Sequence, residues 1–292
     1  MGIVVRIHAG LGNQMFQYAA GRSLAQHKRT SLYLDSFGFE TDTFRKYELD
    51  RFNISAERWS RICKNLTMSW GRGRFAPMRR FIQAFHSPLT PIYIKDIEQG
   101  FDGTLGETKG SVYLDGYWQS ERYFAEIREV LLKEFTFKTA PDEENAKCLS
   151  SITSQNAVCV HIRRGDYVTT MHGQAKHGVC GLDYYQAAVA RIRKIIDKPA
   201  FFVFSDDPAW VNANFPRMNP MTIVSHNVGK TDAEDLRLMM TCRHFITANS
   251  SFSWWAAWLG QFPQKTVIAP RRWYAKQDQC DKDLVPESWI RL

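Results

Sequence analysis

The stretch Val158-Cys159-Val160-His161-Ile162-Arg163-Arg164-Gly165-Asp166-Tyr167 decides how the rest of this 292-residue chain reads. Its first half is apolar and β-branched, as in a strand buried on both faces, and its second half is a packet of charge placed where such a strand runs out into its loop. Open α/β sheets bind their ligands at that end of the strands. If strand alternation persists, Arg163 and Arg164 point to opposite sides, so one faces the crevice while the other pairs with a carboxylate. A guanidinium aimed into the crevice suits a phosphate, which its planar fork grips through two parallel hydrogen bonds. Gly165 permits a tight exit, and Asp166 has the chemistry to fix an arginine, bind a sugar hydroxyl or take a proton. The plainer alternative is a solvated Arg-Asp pair on a surface turn, which carries little energy.

Downstream, the alternation is regular. A helix expected over 182–196 leads to the apolar strand Phe201-Phe202-Val203-Phe204, which exits into Ser205-Asp206-Asp207-Pro208. A strand at 221–224, a helix over 232–242 and a strand at 244–247 follow, and strands alternating with helices predict a parallel, doubly wound sheet. Asp206 and Asp207 suit ribose or base donors, or cap the next helix. The strand at 244–247 ends in Asn249-Ser250-Ser251-Phe252-Ser253-Trp254-Trp255-Ala256-Ala257-Trp258. Free N–H groups of a first helical turn, joined by the Ser250 and Ser251 hydroxyls, make an anion site; alternatively Asn249 or Ser250 is only an N-cap. Trp254, Trp255 and Trp258 are expected to pack this helix against the sheet.

Upstream, the chain opens as a βαβ unit: the strand Ile3-Val4-Val5-Arg6-Ile7, the turn Gly10-Leu11-Gly12-Asn13-Gln14, helical spacing over 15–27 and a second strand at 31–35. The third glycine of a dinucleotide fingerprint is missing. The neutral amides of Asn13 and Gln14 beside Gly12 suit sugar hydroxyls, which need donors and acceptors without charge. A strand and turn at Ser111-Val112-Tyr113-Leu114-Asp115-Gly116-Tyr117-Trp118-Gln119 precede a helix expected over 121–134. Aromatic faces such as Trp118 beside Asp115 and Gln119 fit a sugar, and packing between strand and helix explains them equally. Thr139-Ala140-Pro141-Asp142 reads as a helix entry and as the domain boundary, giving domains 1–140 and 141–292.

The formal charge is +8, which points to an anionic partner. Between 51 and 95 nine basic residues face one acidic residue, Glu57, a local +8 equal to that of the whole chain. Trp59, Trp70, Phe75, Phe81 and Phe85 are interleaved, a mixture able to lie on an anionic membrane surface or to form a solvated basic face over ordinary core. No nucleic-acid-binding motif is present, so nucleic acid is not expected as a partner. The six cysteines show neither a CxxC pair nor metal-ligand spacing. With no secretory leader pattern and no apolar run approaching a membrane span, a reduced, cytoplasmic setting is expected.

Taken together, Gly10-Leu11-Gly12-Asn13-Gln14-Met15-Phe16-Gln17-Tyr18, the His161–Tyr167 stretch and Asn249 to Ala257 resemble the bacterial α-1,2-fucosyltransferases of glycosyltransferase family 11. The likeness continues through Asp115-Gly116-Tyr117-Trp118-Gln119, Phe204-Ser205-Asp206-Asp207, Val267-Ile268-Ala269-Pro270 and Pro286-Glu287-Ser288-Trp289. It implies a GT-B-like α/β architecture of two Rossmann-like domains with an interdomain cleft. The C-terminal domain would bind GDP-fucose, and the N-terminal domain would take the acceptor. It also implies inverting, metal-independent transfer, without a cofactor, to the 2-hydroxyl of a terminal β-galactoside in surface-glycan synthesis. The acceptor would be lipid-linked, at the inner face of the cytoplasmic membrane. On that pattern Arg163 binds the pyrophosphate, Ser250, Ser251 and Phe252 lie around the same phosphates, and Asn13 and Gln14 stand on the N-terminal side of the cleft; Arg164, Asp206 and Asn249 are further candidates for the donor, and Gly12, Asp115 and Trp118 for the acceptor side. The general base stays open among Asp166, His161, His177 and Asp115. Another GDP-sugar transferase and a non-catalytic carbohydrate-binding protein are the alternatives.

Overall fold

The computed structural model describes residues 2–59, 91–96, 100–171, 173, 178–227, 232–275 and 281–292. The greater part of the basic segment, residues 60–90, and His177 lie outside the described residues. The chain divides into two compact units, Met1–Thr136 and Phe137–Leu292, where the sequence reading placed the boundary after residue 140.

In the first unit, β1 (Gly2–Arg6) leads through α1 (Leu11–His27) to β2 (Ser31–Asp35), and β3 (Glu57–Arg58), β4 (Ile92–Lys95) and β5 (Val112–Asp115) follow. They form one parallel sheet in the order β3-β2-β1-β5-β4, which reverses between β1 and β5. Helix α1 comes close to β1 at Gly21, where a Cβ would fall 2.2 Å from Val5 Cγ2, so a side chain there would lift the helix from the strand. The helix begins earlier than its spacing suggested. Gly10 is extended and acts as N-cap, its carbonyl accepting from the N–H groups of Asn13 and Gln14, so Gly12, Asn13 and Gln14 are first-turn helical residues rather than a turn.

The single helix expected over 121–134 is instead two 3-10 turns, Glu121–Tyr123 and Ala125–Ile127, followed by α2 (Arg128–Glu134). Two aromatic side chains that must be buried in different places explain the break. Tyr123 stands edge-on to Trp118 and Phe124 lies against Phe16, and Phe124 adopts an extended φ of −145° that interrupts the helical ladder. Glu134 then anchors α2 to α1 through the Tyr18 hydroxyl at 2.6 Å and Arg22 Nε at 2.9 Å.

The second unit starts with α3 (Glu143–Thr153), capped by Asp142, and β6 (Asn156–Ile162), which ends in the short α4 (Gly165–Thr169). There follow α5 (Leu182–Ile195), β7 (Pro199–Ser205), α6 (Pro208–Asn214), β8 (Met221–Val224), α7 (Asp232–Thr241), β9 (His244–Ile246), α8 (Ser251–Leu259), β10 (Val267–Ala269) and β11 (Ile290–Arg291). The sheet is parallel in the order β11-β10-β9-β6-β7-β8. Strand β6 is central, and the chain winds from it first towards β8 and then, restarting at β9, towards β11, the doubly wound arrangement the alternation predicts. Val158, Val160 and Ile162 pack with Tyr184, Tyr185, Ala188 and Ile192 of α5. On α8, Trp254, Trp255 and Trp258 are buried, in line with the packing role expected of them. Among the described residues no helix is long and apolar enough to cross a membrane.

Candidate functional site

Neighbouring strands β6 and β9, paired at Val160 and Ile246, run out on the two sides of the second sheet's switch point, so the Arg163 and Ser250 segments emerge side by side. Beyond Ile162 the chain turns sharply against the exit of β7. A Cβ on Gly165 would lie 2.3 Å from Asp206 Oδ2, so this close approach requires glycine. Arg163 Nη1 pairs with Asp206 at 3.0 Å and Nη2 with Asp166 at 2.5 Å. Burial works against the guanidinium's charge, but Asp206 and Asp166 outweigh it and hold the group above its ordinary pKa. The result is a fixed, always charged fork whose remaining N–H donors are available to an anion.

The expected division of labour between the arginines needs correction, because both pair with carboxylates. Arg164 Nε meets Asp207 at 3.3 Å while its guanidinium lies 3.9 Å over the Trp210 ring, and its backbone N–H donates to Asp206 Oδ1 at 2.9 Å. Asp207 also caps α6 by accepting from Trp210 N. These two aspartates hold the arginines in place, which is a different task from the ribose or base contact considered for them.

At the other strand end, Ser250 occupies the N-cap of α8 but its side chain makes no capping hydrogen bond. Its carbonyl accepts from Trp254 N, and the first-turn N–H groups lack a side-chain cap, as an anion-binding helix start requires. Asn249, expected to touch the donor, is instead a buried knot. Its Nδ2 donates to the carbonyls of Gly178 and Trp273, its Oδ1 accepts from the Cys180 thiol, and its carbonyl accepts from the Tyr167 hydroxyl. Tyr167 and Cys180 thus support the site through Asn249, and nothing in their spacing signalled it.

His161 is buried, with its ring 5.8 Å from that of Phe252. Burial, reinforced by the Arg163 charge, pushes its pKa down to about 3, and Nδ1 is sealed without a hydrogen-bond partner. It is therefore a neutral wall of the site and a poor proton acceptor at neutral pH, which corrects its placement among the catalytic groups.

In the first unit the reversal between β1 and β5 is spanned by a hydrogen bond of 2.7 Å from Gln119 Nε2 to Asn13 Oδ1. Gln14 does not face a ligand. It is fully buried, its Nε2 donates to the carbonyls of Ala9 and Lys46, and its Oε1 accepts from Glu48 N, so it clamps the loop after β2 to the start of α1. Gly12 is likewise buried within the helix. Asp115 is held by Arg6 Nη1 at 3.1 Å and by the Tyr93 hydroxyl. Trp118 is buried at a φ of 55°, so it is packing rather than an open platform. Two residues here escaped the sequence reading. Asp96 accepts from the backbone of Tyr117 and Trp118 and so shapes the turn after β5. The His8 ring lies tilted against that of Tyr117 with centroids 5.0 Å apart, its pKa lowered by burial and by Arg6. Its place directly after β1, at a strand exit, was the available signal.

Comparison with known proteins adds independent findings. Residues 97–292 match the family described as Glycosyl transferase family 11. The chain is 36% identical to an Escherichia coli alpha-1,2-colitosyltransferase, covering 99% of this chain and 98% of that one. It is 31% identical to the Escherichia coli O-antigen biosynthesis glycosyltransferase WbnK over 98% and 99% of the two chains. A Mus musculus galactoside 2-alpha-L-fucosyltransferase, Sec1, is 31% identical over 65% of this chain and 57% of its own length. Among solved structures, Arabidopsis thaliana FUT1 in complex with GDP aligns with a TM-score of 0.57 at 11% identity, over 99% of this chain and 75% of that one. The fucosyltransferase NodZ from Bradyrhizobium aligns with a TM-score of 0.51 at 14% identity, over 87% and 91%. These likenesses show a fold of the GT-B type, with two units each built on a parallel sheet.

Proposed function

The chain belongs to glycosyltransferase family 11, and on that premise we propose that it transfers L-fucose from GDP-fucose to the 2-hydroxyl of a terminal β-galactoside, with inversion and without a metal. The observation that carries this reading is Arg163, fixed by Asp206 and Asp166 beside the uncapped start of α8. In the reaction the galactose 2-hydroxyl gives up its proton to a general base and its oxygen forms a bond to the fucose anomeric carbon, while the bond from that carbon to the β-phosphate oxygen breaks and GDP departs with the electron pair. Negative charge grows on the leaving phosphate, so a guanidinium and helix N–H groups held ready for it stabilise the transition state more than the ground state. One well-placed donor of this kind contributes about 3–4 kcal/mol. The galactosyl acceptor is supported by the name of the mouse relative, and a role in O-antigen synthesis by that of WbnK.

A second donor has its own support, since one full-length relative is named a colitosyltransferase. Colitose is L-fucose without its 3-hydroxyl, so a site that hydrogen-bonds this hydroxyl would reject GDP-colitose and one that leaves it in apolar surroundings would not. The test is GDP release by the purified protein from GDP-fucose and from GDP-colitose. Each donor is assayed with and without lactose, lacto-N-biose and β-1,3-linked galactosyl-N-acetylgalactosamine, with product linkage analysis. Galactoside-dependent release with the sugar on the galactose 2-hydroxyl is expected, and failure to bind either nucleotide sugar would end the proposal. The acceptor is taken to be lipid-linked, reached from the cytoplasmic membrane surface through the basic segment. Neutralising Arg72, Arg74, Arg79 and Arg80 should then abolish sedimentation with anionic vesicles while lactose turnover persists.

A further inference from the structure

The register of β6 against β9 runs out at Val160 and Ile246, before either strand reaches its anion-binding residues. A diphosphate held by Arg163 and by the α8 start needs both aimed at the same oxygens. The rings of His161 and Phe252, tilted at 5.8 Å, bridge the two exits but set no direction. Tyr167 supplies a directional tie: its hydroxyl donates to the Asn249 carbonyl at 3.2 Å, directly before the N-cap of α8. The same residue belongs to α4, whose Asp166 holds Arg163 Nη2, and its ring lies 5.3 Å from the Arg163 guanidinium. Asn249 is a fixed anchor for this bond, since its own Nδ2 donates to the carbonyls of Gly178 and Trp273. Burial pushes the pKa of the Tyr167 hydroxyl up, against the Arg163 charge, so it stays a protonated donor at neutral pH.

We propose that Tyr167 is a positioning residue that locks the Arg163 fork and the start of α8 into one diphosphate site. This rests on the nucleotide-sugar reading given above, and it adds that the two anion-binding elements act as a unit instead of as independent contacts. A guanidinium depends on such a lock more than an ammonium does. Its planar fork grips two oxygens in one orientation, whereas a lysine on its flexible stem follows the phosphate. A tyrosine that only stabilised the fold would leave the two elements uncoupled.

The experiment is a double-mutant cycle on the full chain, with wild type, Tyr167→Phe, Arg163→Lys and the pair, read by calorimetric titration with GDP. Tyr167→Phe keeps the ring against Arg163 and removes only the donor. It should weaken GDP binding about fivefold in the wild-type background at unchanged stoichiometry, and under about twofold in the Arg163→Lys background. The same cycle read in kcat/KM for GDP-fucose should give the same coupling. Stoichiometry separates positioning from folding, because a variant that is merely destabilised loses competent molecules and keeps its affinity. Equal weakening in both backgrounds, no weakening in the wild-type background, or a fall in stoichiometry at unchanged affinity overturns the lock. A wild type that binds no GDP overturns the nucleotide-sugar reading itself, so the two failures are distinct.

Discussion

Arg163 keeps its charge in a buried place because Asp206 and Asp166 flank it, and the same two contacts leave its fork only one orientation. Charge and geometry are thus settled before any substrate arrives, which is what preorganised stabilisation of a leaving phosphate demands. Steady-state kinetics on Arg163→Ala should show turnover lower by about 10² or more. Arg163→Lys should also be poor, because a point charge replaces a fork that two carboxylates hold; near-normal rates in either variant would remove this residue from the chemistry. His161 gives a second prediction at this scale. Its folded pKa near 3 lies below the 6.5 of an unfolded histidine, so its stabilising contribution is fully present above about pH 6.5 and is lost progressively as the pH falls towards 3. Between pH 7 and pH 5 the stability advantage of wild type over His161→Gln, read by urea unfolding, should shrink by about 2 kcal/mol. An advantage equal at both pH values would mean that His161 takes up a proton within the fold.

At the scale of elements, α8 is placed by its tryptophans. Trp254 stacks with Trp258, meets Trp255 and Trp289, and donates from Nε1 to the Leu284 carbonyl at 2.8 Å. The uncapped start of this helix is thus held by packing at its other turns. Trp254→Ala should cost about 3–5 kcal/mol, measured by denaturant unfolding, and a loss below about 1 kcal/mol would show that the helix is positioned by its loop instead. This packing was legible in the sequence, since an apolar helix following a strand has one obvious partner. The break in the helix expected over 121–134 was not legible. Its side chains suit a helix well enough, and only the separate burial sites of Tyr123 and Phe124 divide it into turns.

At the scale of the whole molecule, each unit is a parallel sheet whose order reverses next to its first strand, and each reversal is lined by residues the motifs contain. On the proposed reading, the positive charge that a leaving diphosphate needs comes from Arg163 and the start of α8 together, both in the second unit. Initial rates of GDP release should therefore be the same in EDTA as in magnesium, and a rate that collapses in EDTA and returns with a divalent cation would transfer that task to the metal.

The sequence by itself determined the seven strands β1, β2 and β5 to β9 and the position of the two motifs at strand ends, because buried β-branched runs that end in charge or in glycine have few other readings. The short β3, β4, β10 and β11 were not read from it. It also brought Arg163 and Ser250 into one argument, since both chemistries suit an anion. Only the tertiary structure decided what each polar side chain faces. Asn249, Gln14, Asp206 and Asp207 have the right chemistry for a ligand, yet their partners are other parts of the chain: Gly178 and Trp273, Lys46 and Glu48, and the two arginines. The physical reason is that a hydrogen bond is made with whatever lies within about 3 Å. That neighbour comes from loops distant in sequence, whose placement no local pattern encodes.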